Sequence, residues 1–424
     1  MSKIIDHFKT LTTIPHCSED AERMREFLVD FAHTNGYGVE QDAVGNVVAR
    51  RGEPALCLQA HYDMVCMGKA PRIETVESDG WMRAEEASLG ADNGIGIAMM
   101  MALMEEGVEA EFLFTADEEV GLIGASAMDL TIRSPRMLNL DSEDEAVVTI
   151  GCAGGADIVG HMSGERIPGH GQTYEVAVRS LPGGHSGVDI DRGIPSAIKV
   201  LFGYLHDQEM EQIASVIAGQ RRNAIPSDAI AVVRSETPLA GTESVTVRPL
   251  AEEPAVYRDS RTLIAWVNGF EQGVRRYNEQ LHMPQTSINL ALINDTNDPE
   301  GVRIELSARA MSMEDLDALV AETVAGMESA GFSVEVTDKY PAWKPEENDF
   351  TRKVAEAMRS EFGTTEVSAI HAGLECGILS EKLPGVQFAS IGPTIRYPHS
   401  TREEVDLASV ERTYRVVRAI MDLF

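Results

Sequence analysis

The sequence predicts an α/β fold into which a second, α+β domain has been inserted. Three observations point there. Short apolar runs of strand length alternate with helix-length segments over the first part of the chain. Near residues 154–171 the composition turns Gly-rich and polar, and alternating strand patterns follow. After Tyr340-Pro341-Ala342-Trp343-Lys344-Pro345 the opening texture returns. That return implies a discontinuous first domain, residues 1–170 with 341–424, interrupted by a domain over 171–340. The 424-residue length agrees, since single cores stop growing at about 250–300 residues.

Taken in order, residues 18–33 place Met24, Phe27, Leu28 and Phe31 at helical spacing, with Ser18 as a cap. The apolar runs 47–49, 55–60, 112–116 and 137–140 fit buried strands. Residues 94–105 read as a helix, and 125–129 begin a further helical crossover. In the insert, 174–178 alternates, 196–205 is helical, and 244–247, 263–267, 288–292 and 302–306 read as strands with one exposed face. Ser312 caps a helix running to about residue 327, before a strand at 334–336. The last part holds a helix at 350–358, a glycine-punctuated segment at 371–379 and a buried strand at 386–391. A final helix, 403–423, repeats Val405, Val410, Tyr414, Val417 and Ile420.

Composition excludes several function classes. Lys and Arg number 36 against 68 Asp and Glu, a net charge of −32, so no long-range field attracts a nucleic acid or an anionic membrane. The run QGVRR near residue 275 is too small to reverse that. No apolar stretch approaches the roughly 20 residues that span hydrocarbon, and MSKIIDHFKT lacks the basic-then-apolar pattern of a secretory signal. Five cysteines (Cys17, Cys57, Cys66, Cys152 and Cys376), odd in number and without a CxxC pair, suggest no disulfide framework and a reducing cytoplasm. Neither a phosphate-binding glycine loop nor a G-x-S-x-G elbow is present.

Five segments carry chemistry. In LCLQAHYDMV, a strand continuing through Asp63 would point His61 and Asp63 the same way, as a metal or catalytic pair or as a capping pair. In SLGADNGIGIA, Asp92 and Asn93 stand where a helix begins, as ligand or N-cap. In EFLFTADEEVGLIGA a buried strand ends in Asp117-Glu118-Glu119, where one acid can ligate a metal while its neighbour handles a water proton. RMLNLDSEDE ends a strand on Asp141, and His399 lies in a turn-rich loop before the last helix. Together His61, Asp92, Glu119, Asp141 and His399 offer two imidazoles and three carboxylates just beyond predicted elements, where open α/β sheets build sites. That donor set suits zinc, with cobalt or manganese as substitutes, and can hold two ions if one carboxylate bridges. Amide hydrolysis by an activated water follows, with Glu118 as general base and then acid.

These segments, with GCAGG, LPGGHSGVDI, RNAIP, IHAGLECGIL and GPTIRYPHS, resemble the M20 metallopeptidases, and within them the aminoacyl-histidine dipeptidases, over nearly the whole chain. The resemblance implies a zinc-peptidase-like catalytic domain with a central mixed sheet flanked by helices, and an inserted lid that often dimerises. It implies that His61, Asp92 and Asp141 hold one zinc and Asp92, Glu119 and His399 the other, with Asp92 bridging. Glu118 matches the catalytic base and Asp63 the acid that orients His61. His185 resembles a lid histidine that stabilises the oxyanion. Asn223, Arg309 and His371 are the expected substrate contacts. The implied protein is a cytoplasmic homodimer acting on small peptides, Xaa-His dipeptides above all; hydrolysis of N-acyl amino acids or longer peptides by the same centre, or a non-catalytic metal scaffold, are the alternatives. Glu85-Glu86-Ala87 departs from the glycine-rich segment the family commonly places before LGADNG.

Overall fold

A computed structural model describes residues 3–295 and 301–424. The chain divides into two compact units: Met1–Cys152 with Trp343–Ile370 and Leu374–Phe424, and Ala153–Ala342 with His371–Gly373. The second unit therefore begins at Ala153 rather than at residue 171. The Gly-rich stretch read as a boundary contains the strand Gly154–Met162, which pairs on both sides within the second unit's sheet.

The first unit is built on eight strands: β1 Gly38–Gln41, β2 Val47–Arg50, β3 Cys57–His61, β4 Glu111–Thr115, β5 Arg136–Asn139, β6 Val147–Cys152, β7 Glu366–Ile370 and β8 Gln387–Ser390. Their order is β1-β2-β4-β3-β5-β8-β6-β7. Neighbours β4, β3, β5 and β8 run parallel, β1, β2 and β4 alternate, and β8 meets β6 antiparallel, so the sheet is mixed as expected. Strands β3 and β4 are buried along their whole length, which is why apolar residues occupy both of their faces instead of alternating, with Gln59, His61, Glu111 and Thr115 as buried polar exceptions. The helix Ala91–Glu106 is also apolar all round, with residues 93–104 buried in the core.

The second unit has a nine-stranded sheet whose longest members are Met283–Asp295, Gly154–Met162 and Val302–Ala310. Helices Ala197–Asp207, Ser260–Gly269 and Met313–Ser329 bury its core. Ser312 accepts a hydrogen bond from the Asp315 amide and caps the third of these.

Several elements differ from the sequence reading. Residues 263–267 are helical, not extended: Leu263, Ile264 and Val267 recur at i, i+1 and i+4 and bury one face of Ser260–Gly269. An unanticipated helix, Lys3–Leu11, opens the chain. The next helix starts only at Glu22, because Ser18 turns its hydroxyl to Asp63 instead of capping. The last helix starts at Leu407, where Asp406 accepts from the Ala408 and Ser409 amides, and Glu404–Asp406 pairs as a strand. Finally, Cys17 and Cys66 form a disulfide, Cα atoms 5.5 Å apart, contrary to the expectation of none. The two are 49 residues apart, and only the pairing of residues 16–18 with Met64 brings them together.

Candidate metal centre

Because β4, β3, β5 and β8 are parallel neighbours, their carboxyl ends share one edge of the sheet. His61 is the last residue of β3, Asp117-Glu118-Glu119 follow β4, Asp141 follows β5, and His399 lies beyond β8 in the connection between the short strands Ile395–Arg396 and Glu404–Asp406. Asp92 enters from the start of the Ala91–Glu106 helix, in a non-helical conformation (φ −84°, ψ 107°).

These side chains converge. His61 Nε2 lies 3.2 Å from Asp92 Oδ1 and 3.3 Å from Asp141 Oδ1. His399 Nε2 lies 3.0 Å from Asp92 Oδ2 and 3.0 Å from Glu119 Oε1. Two triads result, each with one imidazole and two carboxylates, and Asp92 gives one oxygen to each. Glu118 stands in a further grouping with His61 and Glu119.

The electrostatics of the cluster are set by burial and by its own crowding of acids. Burial opposes charge at every site, yet Asp92 is held far below the ordinary carboxylate range by hydrogen bonds from His399 and His61. Burial, reinforced by Asp92 and Glu119, lifts Asp141 to about 6. Glu118 is raised well above its usual value by burial first and by Glu119. Burial disfavours the His399 imidazolium, but Asp92 and Glu119 outweigh it and push the group up to about 11. So dense a set of acids keeps protons on its histidines unless other positive charge replaces them. Mixed nitrogen and oxygen triads with a shared carboxylate fit two divalent cations.

The surroundings fix the donors. Since β3 ends at His61, Asp63 is not in extended register with it. His61 Nδ1 donates to the Asp63 backbone carbonyl at 3.0 Å, while the Asp63 carboxylate is 3.5 Å away. This bond keeps a proton on Nδ1, so that a cation replacing the Nε2 proton would meet the Nε2 lone pair. The Asp63 carboxylate instead accepts from the Glu118 and Glu119 amides, at 2.9 and 3.3 Å, and from the Ser18 hydroxyl at 2.7 Å. Two further residues, Glu403 and Asn46, had no assigned role in the sequence, and Asn93 has one other than capping. Glu403, 2% exposed, accepts the Leu89, Gly90, Ala91 and Asp92 amides at 2.7–3.3 Å and so anchors the start of the helix that carries Asp92. Asn93, read as an N-cap, donates its amide to Asp141 Oδ1 at 2.6 Å. Asn46 accepts the Ala116 amide at 3.1 Å and donates to the Gly124 carbonyl at 2.9 Å, bracing the loop of Glu118 and Glu119.

Within the second unit, His185 Nδ1 accepts the Gly187 and Val188 amides at 3.2 and 3.1 Å, which puts its ring proton on Nε2. Arg309, buried, donates to the Tyr340 hydroxyl at 2.8 Å. His371 shares a 2.7 Å hydrogen bond with the Ser287 hydroxyl, and burial, with Arg309 beside it, holds its pKa down to about 3. Gly187 packs among these groups: a Cβ there would lie 2.4 Å from the His371 carbonyl oxygen, 3.1 Å from His185 Cε1 and 3.3 Å from Arg309 Nε. Asn223 is exposed, and its carbonyl accepts the Ser186 amide at 2.8 Å.

Comparison with known proteins matches residues 57–423 to the sequence profile of peptidase family M20/M25/M40. The cytosol non-specific dipeptidase of Escherichia coli (strain K12) is 31% identical over 468 aligned positions, covering 98% of this chain and 96% of that protein. The crystal structure of an aminoacylhistidine dipeptidase from Vibrio alginolyticus superposes with a TM-score of 0.80 at 27% identity, covering 100% of this chain and 96% of that one. A tripeptidase from Staphylococcus aureus shares the fold at a TM-score of 0.61 and 16% identity, covering 99% of this chain and 97% of that one.

Proposed function

The chain belongs to peptidase family M20/M25/M40, and from that premise we propose that it is a metal-dependent dipeptidase. The observation that carries this reading is Asp92, whose two carboxylate oxygens each face a different histidine, each histidine with a carboxylate of its own. Sequence likeness to one dipeptidase and structural likeness to a second support it.

His61, Asp92 and Asp141 would hold one cation and Asp92, Glu119 and His399 the other; we propose zinc, with cobalt or manganese able to substitute. When bound, such a pair supplies Lewis-acid polarisation of the scissile carbonyl and acidifies water near neutral pH. Glu118 takes the proton of the attacking water and returns it to the leaving amine. Asp63 sets the position of Glu118 through its amide. In the second unit, His185 is the proposed donor to the developing oxyanion, through Nε2–H. Arg309, with Asn223 and neutral His371, is the proposed contact for the substrate carboxylate. Xaa-His dipeptides are the proposed preferred substrates, and the cytoplasm the proposed site of action. A homodimer through the second unit is also proposed.

The test is a panel of dipeptides, Xaa-His and others, offered to zinc-loaded protein alongside their N-acylated forms. Chelator-sensitive cleavage that requires the free amine is expected. Faster cleavage of acylated substrates would reassign the centre to deacylation, and equal rates across the panel would remove the histidine preference.

A further inference from the structure

We propose that the Cys17–Cys66 disulfide is a redox-sensitive brace on the metal centre, and that Ser18 is the positioning residue through which it acts. Because the brace acts on that centre, it rests on the metallopeptidase reading above.

Three observations carry it. First, the crosslink joins two stretches that are already paired. The Met64 amide donates to the His16 carbonyl at 3.0 Å and the Ser18 amide to the Met64 carbonyl at 3.1 Å. One stretch carries Ser18; the other leaves β3 immediately after His61 and carries Asp63. Second, Ser18 spans the two. Its hydroxyl donates to Asp63 Oδ2 at 2.7 Å, and the same carboxylate receives the Glu118 and Glu119 amides. The Glu19 amide donates to Asp117 Oδ1 at 2.6 Å, so residues 18 and 19 touch two of the loops that supply the cluster, the one after His61 and the one carrying Glu118 and Glu119. Third, Cys17 and Cys66 are partly exposed, whereas Cys57, Cys152 and Cys376 are fully buried. Burial also raises the Cys57 and Cys376 thiols well above their ordinary range. Thiol chemistry from solution therefore reaches the crosslinked pair first.

With the crosslink closed, the hydroxyl of Ser18 is held against Asp63, and Asp63 holds the Glu118-Glu119 backbone. With it open, only backbone pairing keeps the segment in place, and Asp63 loses a donor whenever that pairing frays. The opening step balances with a water-soluble phosphine: two electrons pass from phosphorus to the S–S bond, water supplies the oxygen of the phosphine oxide, and its two protons go to the two thiolates. A phosphine also spares the metal the chelation that dithiols impose.

The full chain is compared oxidised and phosphine-reduced, with Ser18→Ala, Ser18→Thr and a Cys17→Ser/Cys66→Ser double variant. Readouts are the thiol count after denaturation, the zinc dissociation constant by chelator competition, and kcat and KM separately. Expected are three thiols oxidised and five reduced, since Cys57, Cys152 and Cys376 stand outside the disulfide. Reduction should weaken zinc binding and lower kcat about fivefold to tenfold with little change in KM, a loss of one well-placed hydrogen bond. The double variant should match the reduced protein and ignore the phosphine. Ser18→Ala should reproduce the loss in oxidised protein, and Ser18→Thr should restore it. Five thiols in oxidised protein would overturn the proposal, as would a double variant that binds zinc like oxidised wild type, or an unaffected Ser18→Ala. Should the double variant fail to fold, the two Ser18 variants decide. Zinc affinity is read without turnover, so a wild type that binds zinc but cleaves no dipeptide would defeat the dipeptidase reading and leave this one to be judged by its own data.

Discussion

Glu118 has two readings that one substitution separates. It is either the proton carrier beside the metals or, given its grouping with His61 and Glu119, a ligand itself. Glu118→Gln keeps the side-chain volume, and the backbone stays tied because the Glu118 amide donates to Asp63 Oδ1 at 2.9 Å. What disappears is the capacity to accept a proton. General-base catalysis contributes about 10²- to 10⁴-fold, or roughly 2.7–5.5 kcal/mol of barrier. With Asp92 still shared between His61 and His399, both triads survive the change. Steady-state kinetics on a dipeptide, paired with elemental analysis of the same preparation, should show kcat down by that factor. KM should move little, and two metals per chain should remain. A variant that loses a metal equivalent in proportion to its activity would make Glu118 a ligand, and one that keeps its kcat would remove it from the chemistry.

Other substitutions probe the frame. Asp92→Asn takes a charged oxygen from both triads at once, so bound metal should drop from two equivalents to below one; retention of both would mean that Asp92 is not shared. Glu111 is fully buried and accepts from Arg50 Nε at 2.8 Å and from the Arg133 and Ser134 amides at 2.7–3.0 Å. Burial works against its charge, yet those donors hold its pKa below the ordinary value. A carboxylate with a folded pKa below its unfolded one adds stability above the unfolded pKa and loses it as pH falls through the folded one. Glu111→Gln should therefore cost about 3 kcal/mol in urea unfolding at pH 7, with the difference from wild type closing below pH ~4; a constant difference down to pH 3 would contradict this. Gly187→Ala would set a Cβ 2.4 Å from the His371 carbonyl oxygen and 3.1 Å from His185 Cε1. Its KM for dipeptides should rise by about tenfold with metal content intact, because the groups displaced are proposed substrate contacts; an unchanged KM would count against that role.

The parts of the site legible in the sequence share one property: each lies where a local pattern ends. His61, Glu118, Glu119 and Asp141 come directly after apolar runs, and a charged residue at the end of a buried strand is visible without tertiary information. The α/β layering was legible for the same reason, from buried runs alternating with helices, whereas the mixed strand directions followed only from the family resemblance. Glu403, Asn93 and Ser18 were not. Glu403 meets its four amides across about 310 positions, and nothing near it in the chain marks it as other than a surface acid before a helix. The disulfide was hidden likewise: Cys17 and Cys66 belong to no spacing motif and meet only through the pairing at Met64. Residues 263–267 failed for a different reason, since a five-residue apolar run fits a strand and a helix face equally.

Why the carboxyl ends of these strands hold ligands in register follows from a layer just beneath them. Asn139 donates to Gln59 Oε1 at 2.6 Å, and Gln59 donates to the Thr115 hydroxyl at 3.0 Å and to Glu375 Oε2 at 2.5 Å. Thr115 also donates to Glu375 Oε2 at 2.6 Å. The Ser390 hydroxyl donates to Asn139 Oδ1 and meets Ser142 at 2.8 Å. Gln59, Thr115, Asn139 and Ser390 belong to the four parallel strands β3, β4, β5 and β8, and the exits of the first three supply His61, Glu119 and Asp141. Buried polar side chains are costly unless paired, and each pairing is satisfied only if its strands stop at matching heights. A slip of one residue in any of the four would leave amides or hydroxyls unpaired and turn a ligand to the other face. The chain therefore places its donors twice, once by sheet register and once by this layer. Glu375, buried and pushed up to about 7 by that burial despite the hydroxyl of Thr115, closes the layer without adding a full negative charge beneath a cluster already crowded with acids.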